Sequence, residues 1–451
     1  MTVSQTGSTY RLPPGPRWPA PVQAAAFLGP RARTLPLLRR RFGSVFSLRL
    51  PFFGPTVVVC DRDLVKQVFT TPTDVLGNHD VNLGSVLGER SMFALDGDEH
   101  RRQRKLLLPP FAGRRMAGYA ELFASETRRE MESWPLGSPF AVLPATNRIT
   151  LTVILKAVFG AEAAEFEQLR ELIGPMIALA QKLDLLAFAR RDLGPWSPWG
   201  RYLAHRRRFD ELVGRLIAIG RADPDLAARR DVLVLMLQAR YDDGSAMSDA
   251  AVCDQLLTML AAGHETTATS LAWALERLSR HPRLLRRLVA EIDAGETDEL
   301  LRATIQEVHR TRPVIDLVAR CARRDVEIGP WRLPAGTTVM VGIATLHQDA
   351  TVFPDPHRFD PDRFLGVHPD HYAWIPFGGG TRRCIGAAFA DMEMLTVLRT
   401  VLTDLELSPS VAPPERPVNL GVTFAPSERG RVVLHRRTPA AVRPVVTGAT
   451  A

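Results

Sequence analysis

The sequence lacks closely spaced cysteines and long hydrophobic runs. Its cysteines are Cys60, Cys253, Cys321 and Cys384, and no two of them form a Cys-x-x-Cys pair. A disulfide framework is therefore not expected, and zinc is disfavoured because no second cysteine or histidine lies near Cys384 at ligand spacing. Because no run of about 18 apolar residues occurs, we expect no transmembrane anchor. The polar first dozen residues also lack a signal-peptide core, so we expect a cytoplasmic protein.

Internal repeats and low-complexity tracts are also missing from the 451-residue chain. The composition, 45% hydrophobic and 24% charged, is typical of a globular protein. The net charge is +8, but the basic residues are dispersed and no nucleic-acid motif accompanies them. We therefore expect no nucleic-acid partner, and we expect a monomer.

Helical periodicity dominates from about residue 99 to 281, whereas short strand-like segments lie before and after this region. The predicted strands cover 45–50, 56–60, 317–321, 326–328, 337–341 and 432–434. Since no break in composition marks a linker, the pattern predicts one mostly α domain with small β-sheets, an α+β fold with a long central helix over about 248–278. We expect this domain to span 12–437, between a disordered tail at 1–11 and a flexible tail at 438–451.

The most informative segment is FGGGTRRCIG, from Phe377 to Gly386. Cys384 follows a glycine-rich loop and an arginine pair, and it precedes a segment predicted as a helix from Ile385 to about Leu405. A helix N-terminus stabilises a thiolate, and the glycines allow the backbone to approach the sulfur closely. The pattern therefore predicts that Cys384 is a metal ligand or a nucleophile.

This pattern, F-x-x-G-x-R-x-C-x-G, resembles the haem-ligand loop of the cytochrome P450 monooxygenases. The resemblance implies the P450 fold and a haem b (iron protoporphyrin IX) whose iron is bound by Cys384, with Phe377, Gly378 and Gly386 beside it. It also implies insertion of one oxygen atom from O2 into a hydrophobic substrate, such as a lipid, steroid, terpenoid or polyketide. The electrons would come from NAD(P)H through a separate ferredoxin and ferredoxin reductase, because the sequence encodes no flavin or iron–sulfur domain.

A second motif, AGHETT, lies inside the predicted central helix from Ala262 to Thr267. Glycine and β-branched threonine are poor helix formers, and a threonine hydroxyl can bond to the carbonyl four residues earlier. The resemblance implies that Ala262 contacts the cofactor, that Thr266 holds hydrogen bonds at the oxygen-activation site, and that Glu265 delivers protons through water. We expect His264 to face solvent or the core rather than to bind the haem.

Two further motifs would be ordinary surface pairs if taken alone. Glu307 and Arg310 share one helical face; by the resemblance they form a buried structural triad with Arg363 of the later proline-rich segment, Arg358 being the alternative. His100 and Arg104 stand one helical turn apart. The resemblance assigns these two, together with Arg320 and Arg382, to the haem propionates.

The resemblance also predicts the substrate pocket, which is mostly apolar. One residue departs from the pattern, since Asp316 falls where the family has hydrophobic residues; it could bind a polar substrate group, point away, or shift the alignment by one residue. The predicted pocket residues are Leu260, Ala261, Val314, Ile315, Leu317, Val422 and Thr423.

Basic residues near the cysteine loop are expected to dock an acidic electron donor, although dispersed solubilising charges are the alternative. Two other functions remain open. A haem-thiolate peroxygenase or isomerase shares Cys384 but does not need Glu265 and Thr266, and a haem-binding sensor needs no apolar pocket. The basic residues are Arg101, Arg102, Lys105, Arg114, Arg115 and Arg383.

Overall fold

The structure is a computed structural model, and it describes residues 10–29, 31–51, 53–79, 83–111, 116, 118–160, 165–185, 191–226, 229 and 231–437. Helices account for most of this part of the chain. They are α1 (Ala20–Leu28), α2 (Arg31–Phe42), α3 (Arg62–Thr70), α4 (Leu83–Leu87), α5 (Gly97–Leu107), α6 (Ala120–Met131), α7 (Leu143–Phe159), α8 (Phe166–Leu185), α9 (Pro198–Ala222), α10 (Val232–Gln238), α11 (Asp249–Ser279), α12 (Pro282–Ala294), α13 (Glu299–Thr311), α14 (Ile343–Leu346) and α15 (Ala387–Asp404).

The strands are short and lie mostly outside the helical middle of the chain. They are β1 (Val45–Leu50), β2 (Gly54–Val59), β3 (Leu76–Asn78), β4 (Phe140–Ala141), β5 (Val318–Ala322), β6 (Val326–Ile328), β7 (Trp331–Leu333), β8 (Thr338–Val341), β9 (Leu405–Leu407), β10 (Pro417–Asn419), β11 (Phe424–Pro426), β12 (Arg431–Val432) and β13 (Leu434–Arg436).

The long helix α11 forms the centre of the main core. It begins with an N-cap, since the Ser248 hydroxyl accepts a hydrogen bond from the Ala251 N–H. Helix α7 packs along it, and the hydroxyls of Thr146 and Thr150 donate to carbonyls of α11 at 3.0 and 2.9 Å. Most of α11 is buried, but Ala262 at its middle is exposed. The central helix predicted from the sequence is confirmed, and the exposed position beyond its first two residues falls within the AGHETT motif.

The largest sheet has five strands in the order β1-β2-β8-β5-β3. Strands β2 and β8 are parallel, whereas β1 and β2, β8 and β5, and β5 and β3 are antiparallel. Since β3 pairs with β5, Asn78 lies opposite Arg320. This pairing brings the middle of β5 close to the chain that leads into α5.

The predicted boundaries differ from the structure in a few places. The helix after the cysteine begins at Ala387 rather than Ile385, because Gly386 is its N-cap. Arg11, assigned to the disordered tail, is paired with Arg332, and its guanidinium lies over the Trp331 ring. Residues 1–9 and 438–451, the rest of the two predicted tails, lie outside the described residues. In the part of the chain that the structure describes, no helix has the length and apolar character needed to span a membrane.

Candidate functional site

The loop before Cys384 is held by backbone contacts. The Cys384 N–H donates to the Phe377 carbonyl at 2.9 Å, and the Gly378 N–H donates to that of Ile375 at 3.0 Å. Gly378 and Gly380 adopt positive φ angles of 66° and 65°, a conformation that favours glycine. At Gly380, an added Cβ would collide with the backbone carbonyl of Phe69 on α3. The loop is therefore pressed against the end of α3, which fixes where the cysteine lies.

The Cys384 side chain is exposed although protein surrounds it, so it lies in a cleft. Burial raises the pKa of the thiol, whereas the Gly386 N–H, Arg383 and Arg104 lower it. A Cβ added at Gly386 would meet no heavy atom within 4 Å, which leaves room for a large flat group beside the start of α15. Within the described residues, no group of three His, Cys, Asp or Glu side chains could hold a metal ion.

The structure gathers the four predicted propionate ligands into one cationic cluster. Burial, followed by repulsion from Arg382 and Arg104, lowers the pKa of His100 to about 4. Burial and Arg382 lower the pKa of Arg320 to about 10. The Nε of Arg382 is buried without a hydrogen-bond partner among the described residues. The like charges of this cluster repel one another, so a bound anion would stabilise it.

The sequence analysis did not identify Asp96, an acidic residue that forms an ion pair with Arg382 of this cluster. Its carboxylate accepts hydrogen bonds from Arg382 at 3.0 Å and from the Asn78 N–H at 2.7 Å. Although burial raises the pKa of Asp96, these hydrogen bonds lower it below its ordinary value overall. One carboxylate does not balance three arginines, so the cluster can accept the two carboxylates of a haem. The position of Asp96 just before α5 was the sequence feature that could have pointed to it, since aspartate is common at a helix N-cap.

The AGHETT motif occupies the middle of α11 as predicted. The Thr266 hydroxyl donates to the Ala262 carbonyl at 2.9 Å. Glu265 is half-buried, and its carboxylate accepts a hydrogen bond from the Thr423 hydroxyl at 3.3 Å. His264 is buried, and its Nδ1 lies 2.6 Å from the Leu260 carbonyl. The structure thus turns His264 into the core and leaves Ala262 exposed and Thr266 half-buried on one face of the helix.

The structural triad is assembled around Glu307, which is fully buried. Its carboxylate accepts two hydrogen bonds from Arg310, both at 2.7 Å, and one from the Asp360 N–H at 2.8 Å. Arg363 completes the group at 3.3 Å. The alternative, Arg358, is exposed and reaches Asp360 instead. Arg310 also donates to backbone carbonyls of His347 and Pro356, so the triad fastens α13 to the proline-rich segment.

The predicted pocket segments are brought together in part. The Phe424 N–H donates to the Val314 carbonyl at 2.9 Å, so the segments at 314–317 and 422–424 are neighbours. Leu260, Val314 and Thr423 are buried, while Ala261, Ile315 and Val422 are half-buried. Leu317 packs against the small core formed by α1, α2 and β1, and this side of the segment therefore faces the N-terminal helices.

Asp316 forms a buried ion pair with a residue of α2. Its carboxylate accepts two hydrogen bonds from Arg31, the first residue of α2, at 2.8 and 2.9 Å. The Arg31 guanidinium also lies 4.8 Å from the centre of the Phe424 ring. Although Arg31 lowers it, burial raises the pKa of Asp316 overall. The residue that departs from the family pattern thus forms a buried ion pair with Arg31 of α2. Arg31 in turn contacts the segment that contains Phe424.

The basic residues proposed for partner docking are largely paired with acids. Arg101 contacts Asp98, while Arg102 and Lys105 contact the turn residues Asp243 and Asp242. Arg383 is exposed, and its guanidinium lies 6.0 Å from the centre of the Phe377 ring. The remaining two members of the set, Arg114 and Arg115, lie outside the described residues. The structure thus leaves less uncompensated charge here than the sequence suggested.

A buried acid near the site was not predicted. Glu393 on α15 has no exposed surface. Burial raises its pKa well above the ordinary value, and the Thr267 hydroxyl opposes this shift. Glu393 thus has the surroundings of a neutral carboxylic acid between α15 and α11.

Known proteins share both the sequence and the fold. The family model described as cytochrome P450 matches residues 13–430. A Mycobacterium tuberculosis (strain H37Rv) protein named cytochrome P450 138 is 49% identical over 438 residues, which are 97% of this chain and 99% of that protein. Another from the same strain, named cytochrome P450 135B1, is 40% identical over 433 residues, 94% of this chain and 92% of that protein.

Solved structures give the same result. The retinoic acid bound cyanobacterial CYP120A1 has a TM-score of 0.83 at 24% identity, over 95% of this chain and all of that chain. The cytochrome P450DA heme domain has a TM-score of 0.80 at 25% identity, over 95% of this chain and 98% of that one. Since the family model covers most of the sequence and a 49% identical relative covers nearly all of it, the chain belongs to the cytochrome P450 family of haem-thiolate monooxygenases.

Proposed function

We propose that the enzyme inserts one oxygen atom of O2 into a hydrophobic small molecule, with electrons from NAD(P)H passed on by a separate ferredoxin and ferredoxin reductase. The observation that carries the proposal is the exposed Cys384 thiol, which lies in a cleft beside a cluster of three arginines and a histidine. This donor set matches the chemistry of haem b, which offers an iron for the sulfur and two carboxylates for the cations.

In this proposal Cys384 holds the iron, while His100, Arg104, Arg320 and Arg382 hold the propionates. Bound haem with a thiolate ligand supplies the activation of O2. Gly386 leaves room for the macrocycle at the start of α15, and Ala262, exposed in the middle of α11, would contact it through a small side chain. Phe377 and Gly378 belong to the loop that positions the sulfur.

Thr266 and Glu265 of α11 would hold hydrogen bonds and deliver protons, respectively, at the oxygen-activation site. The Thr266 hydroxyl donates its hydrogen bond to the Ala262 carbonyl, so its oxygen can still accept a hydrogen bond from water or a reacting group. Glu265 is half-buried and accepts a hydrogen bond from Thr423 of the proposed pocket, which supports a role for its titratable carboxyl in proton delivery. A carboxylate that exchanges this contact for water could carry protons inward.

We infer a hydrophobic substrate because the proposed pocket residues are mainly aliphatic. No polar side-chain atom is present in Leu260, Ala261, Val314, Ile315 or Val422. The neighbouring Asp316 has its charge compensated by Arg31. Apolar walls of this kind favour lipid-like, steroid, terpenoid or polyketide compounds. Among the residues proposed for the pocket, Thr423 is the one with a polar side chain, and its hydroxyl contacts Glu265.

For electron transfer we propose that an acidic ferredoxin docks near Arg383, on the cysteine side of the haem site. Arg383 is exposed and directly precedes Cys384. The paired residues Arg101, Arg102 and Lys105 would contribute less, because their acidic neighbours offset their charge. We further propose that the enzyme acts as a monomer in the cytoplasm, where NAD(P)H is available and its four cysteines stay reduced.

Optical spectroscopy of the haem-loaded full chain tests the proposal. The reduced protein under carbon monoxide should give the difference spectrum of a thiolate-ligated haem, and Cys384→Ser should abolish it; Cys253→Ser, remote in sequence, is the matched control. A panel of steroids, terpenoids, fatty acids and macrolides should then shift the ferric spectrum. If wild type gives the spectrum of a histidine-ligated haem, or if no apolar compound perturbs the spectrum, the proposed function is wrong.

A further inference from the structure

The N-terminal part of the chain carries positive charge without any acidic residue. The first acidic residue is Asp61, and the preceding 60 residues contain eight arginines. Acidic residues number 49 in 451, so six or seven would be expected in a stretch of that length. An asymmetry of this kind points to a negatively charged partner.

Helix α1 turns an apolar face to solvent. It buries Gln23 and Phe27, so the opposite face of the helix is the one that remains outside. Trp18, just before the helix, is 45% exposed. The exposed residues of α1 are Pro21, Val22, Ala25 and Leu28, and this face therefore presents no polar side chain to water.

Helix α2 adds cations to the same region. Two of its arginines are neutralised, since Arg31 pairs with Asp316 and Arg39 pairs with Asp349. By contrast, Arg33, Arg40 and Arg41 are exposed and make no ion pair with any residue that the structure describes. Leu37 lies among them and is 61% exposed. The outward side of α2 is thus both apolar and uncompensated in charge.

Helices α1 and α2 pack side by side on one small core. Phe27 of α1 and Leu35 and Leu38 of α2 pack into one small core, together with Phe46 and Leu48 of β1. Because both helices pack on this core and contact each other, their outer faces are adjoining parts of the protein surface. Beside them a groove of about 430 Å³ opens between the N-terminal segment and the β1–β2 hairpin. Its lining is largely apolar and includes Leu12, Ala20, Leu50, Pro51 and Pro55.

We propose that the exposed residues of α1 and α2, together with Trp18, form a docking surface for an anionic lipid bilayer. Apolar side chains flanked by arginines suit the boundary between acyl chains and phosphate headgroups, and tryptophan favours this boundary. A nucleic acid or an acidic protein would match the arginines but would leave Trp18, Val22 and Leu28 without a partner. The surface does not depend on the chemistry of the haem site.

Vesicle co-sedimentation of the haem-loaded full chain tests this docking surface. Vesicles of phosphatidylcholine alone are compared with vesicles containing about 30% phosphatidylglycerol, an anionic fraction. Each arginine at an anionic surface strengthens binding about fivefold, equivalent to about 1 kcal/mol. The triple variant R33Q/R40Q/R41Q should therefore bind the anionic vesicles on the order of 100-fold more weakly than wild type. The variant V22S/L28S, with unchanged charge, should lose about tenfold.

The matched control is R283Q/R286Q/R302Q, which removes three exposed arginines from α12 and α13; it should bind like wild type. Far-UV circular dichroism and the carbon monoxide spectrum verify that each variant is folded. The inference is overturned if the wild-type protein does not bind anionic vesicles more tightly than neutral ones, or if the two triple variants bind the anionic vesicles with equal affinity. It is also overturned if V22S/L28S binds fully, because the surface would then recognise charge alone, as for an acidic protein or a nucleic acid.

Discussion

The ion pair between Arg31 and Asp316 offers a quantitative test of how the N-terminus is attached. Both side chains are about one-tenth exposed, and two hydrogen bonds of 2.8 and 2.9 Å join them. In Asp316→Asn, the buried guanidinium keeps its charge and loses its counter-ion. We expect a loss of about 3–5 kcal/mol in the free energy of unfolding.

The reverse substitution should be milder. In Arg31→Met, Asp316 loses its partner but can become neutral by taking up a proton. A buried arginine has no such escape, because its guanidinium does not lose a proton in proteins. Burial already raises the pKa of Asp316 above its ordinary value. We expect a loss of about 2–3 kcal/mol near neutral pH, which includes the contact of Arg31 with the Phe424 ring. This loss should shrink as the pH is lowered, because the remaining carboxyl becomes neutral.

The double variant R31M/D316L separates the pair from its parts. Replacing both charges by apolar side chains should lie within about 1 kcal/mol of wild type, because no unpaired charge is left in the core. Urea unfolding followed by far-UV circular dichroism gives all four free energies. Asp370→Asn breaks the exposed pair with Arg62 and is the control, expected to lose less than about 1 kcal/mol. A loss for R31M/D316L equal to the sum of the single losses would refute the reasoning.

Three further predictions concern the site and its support. Thr266→Ala should leave haem binding intact but uncouple NAD(P)H oxidation from product formation, with hydrogen peroxide released, because the Thr266 hydroxyl next to the Ala262 carbonyl is lost; unchanged coupling would favour a peroxygenase or isomerase. Glu307→Gln should destabilise the fold by about 3–5 kcal/mol and reduce haem retention, because Arg310 stays buried and charged; the exposed Glu327→Gln is the control, and equal retention would contradict the prediction. Burial lowers the pKa of His347 to about 3, below its value of about 6.5 in an unfolded chain. The contribution of His347 to stability is therefore full above pH of about 6.5 and is lost towards pH of about 3, at up to about 1.4 kcal/mol per pH unit. In His347→Gln, whose amide can still accept from the Ile375 N–H, acid unfolding should have a smaller slope; an identical slope would contradict this.

The parts of the site that could be predicted were those set by short spacing along the chain. Glu307 and Arg310 are three residues apart, and Thr266 and Ala262 are four apart, so helical geometry alone brings each pair together. The loop before Cys384 is likewise a local sequence feature. For these elements the pattern of residue types carries the geometry, and the resemblance to the family supplied the chemistry.

The remaining contacts join residues that are remote in sequence. Arg31 and Asp316 are 285 positions apart, and Asp96 meets Arg382 across 286 positions. Nothing in the local pattern around Asp316 indicates an arginine partner, so its role stayed open until the fold was known. Glu393 is similar, since its burial depends on how α15 packs against α11. Periodicity shows which face of a helix is apolar, but it does not show which polar residue that face encloses.

The close approach of Gly379 and Gly380 to Phe69 has a consequence for engineering. At both glycines an added Cβ would overlap Phe69, with its ring in one case and its carbonyl in the other. The thiol is thus located by main-chain packing on α3, a helix more than 300 residues earlier in the chain. A cysteine loop transplanted from a relative would therefore reproduce the ligand position only if the receiving scaffold brings a helix end equally near, and libraries that diversify this loop should keep residues 69, 379 and 380 as one unit.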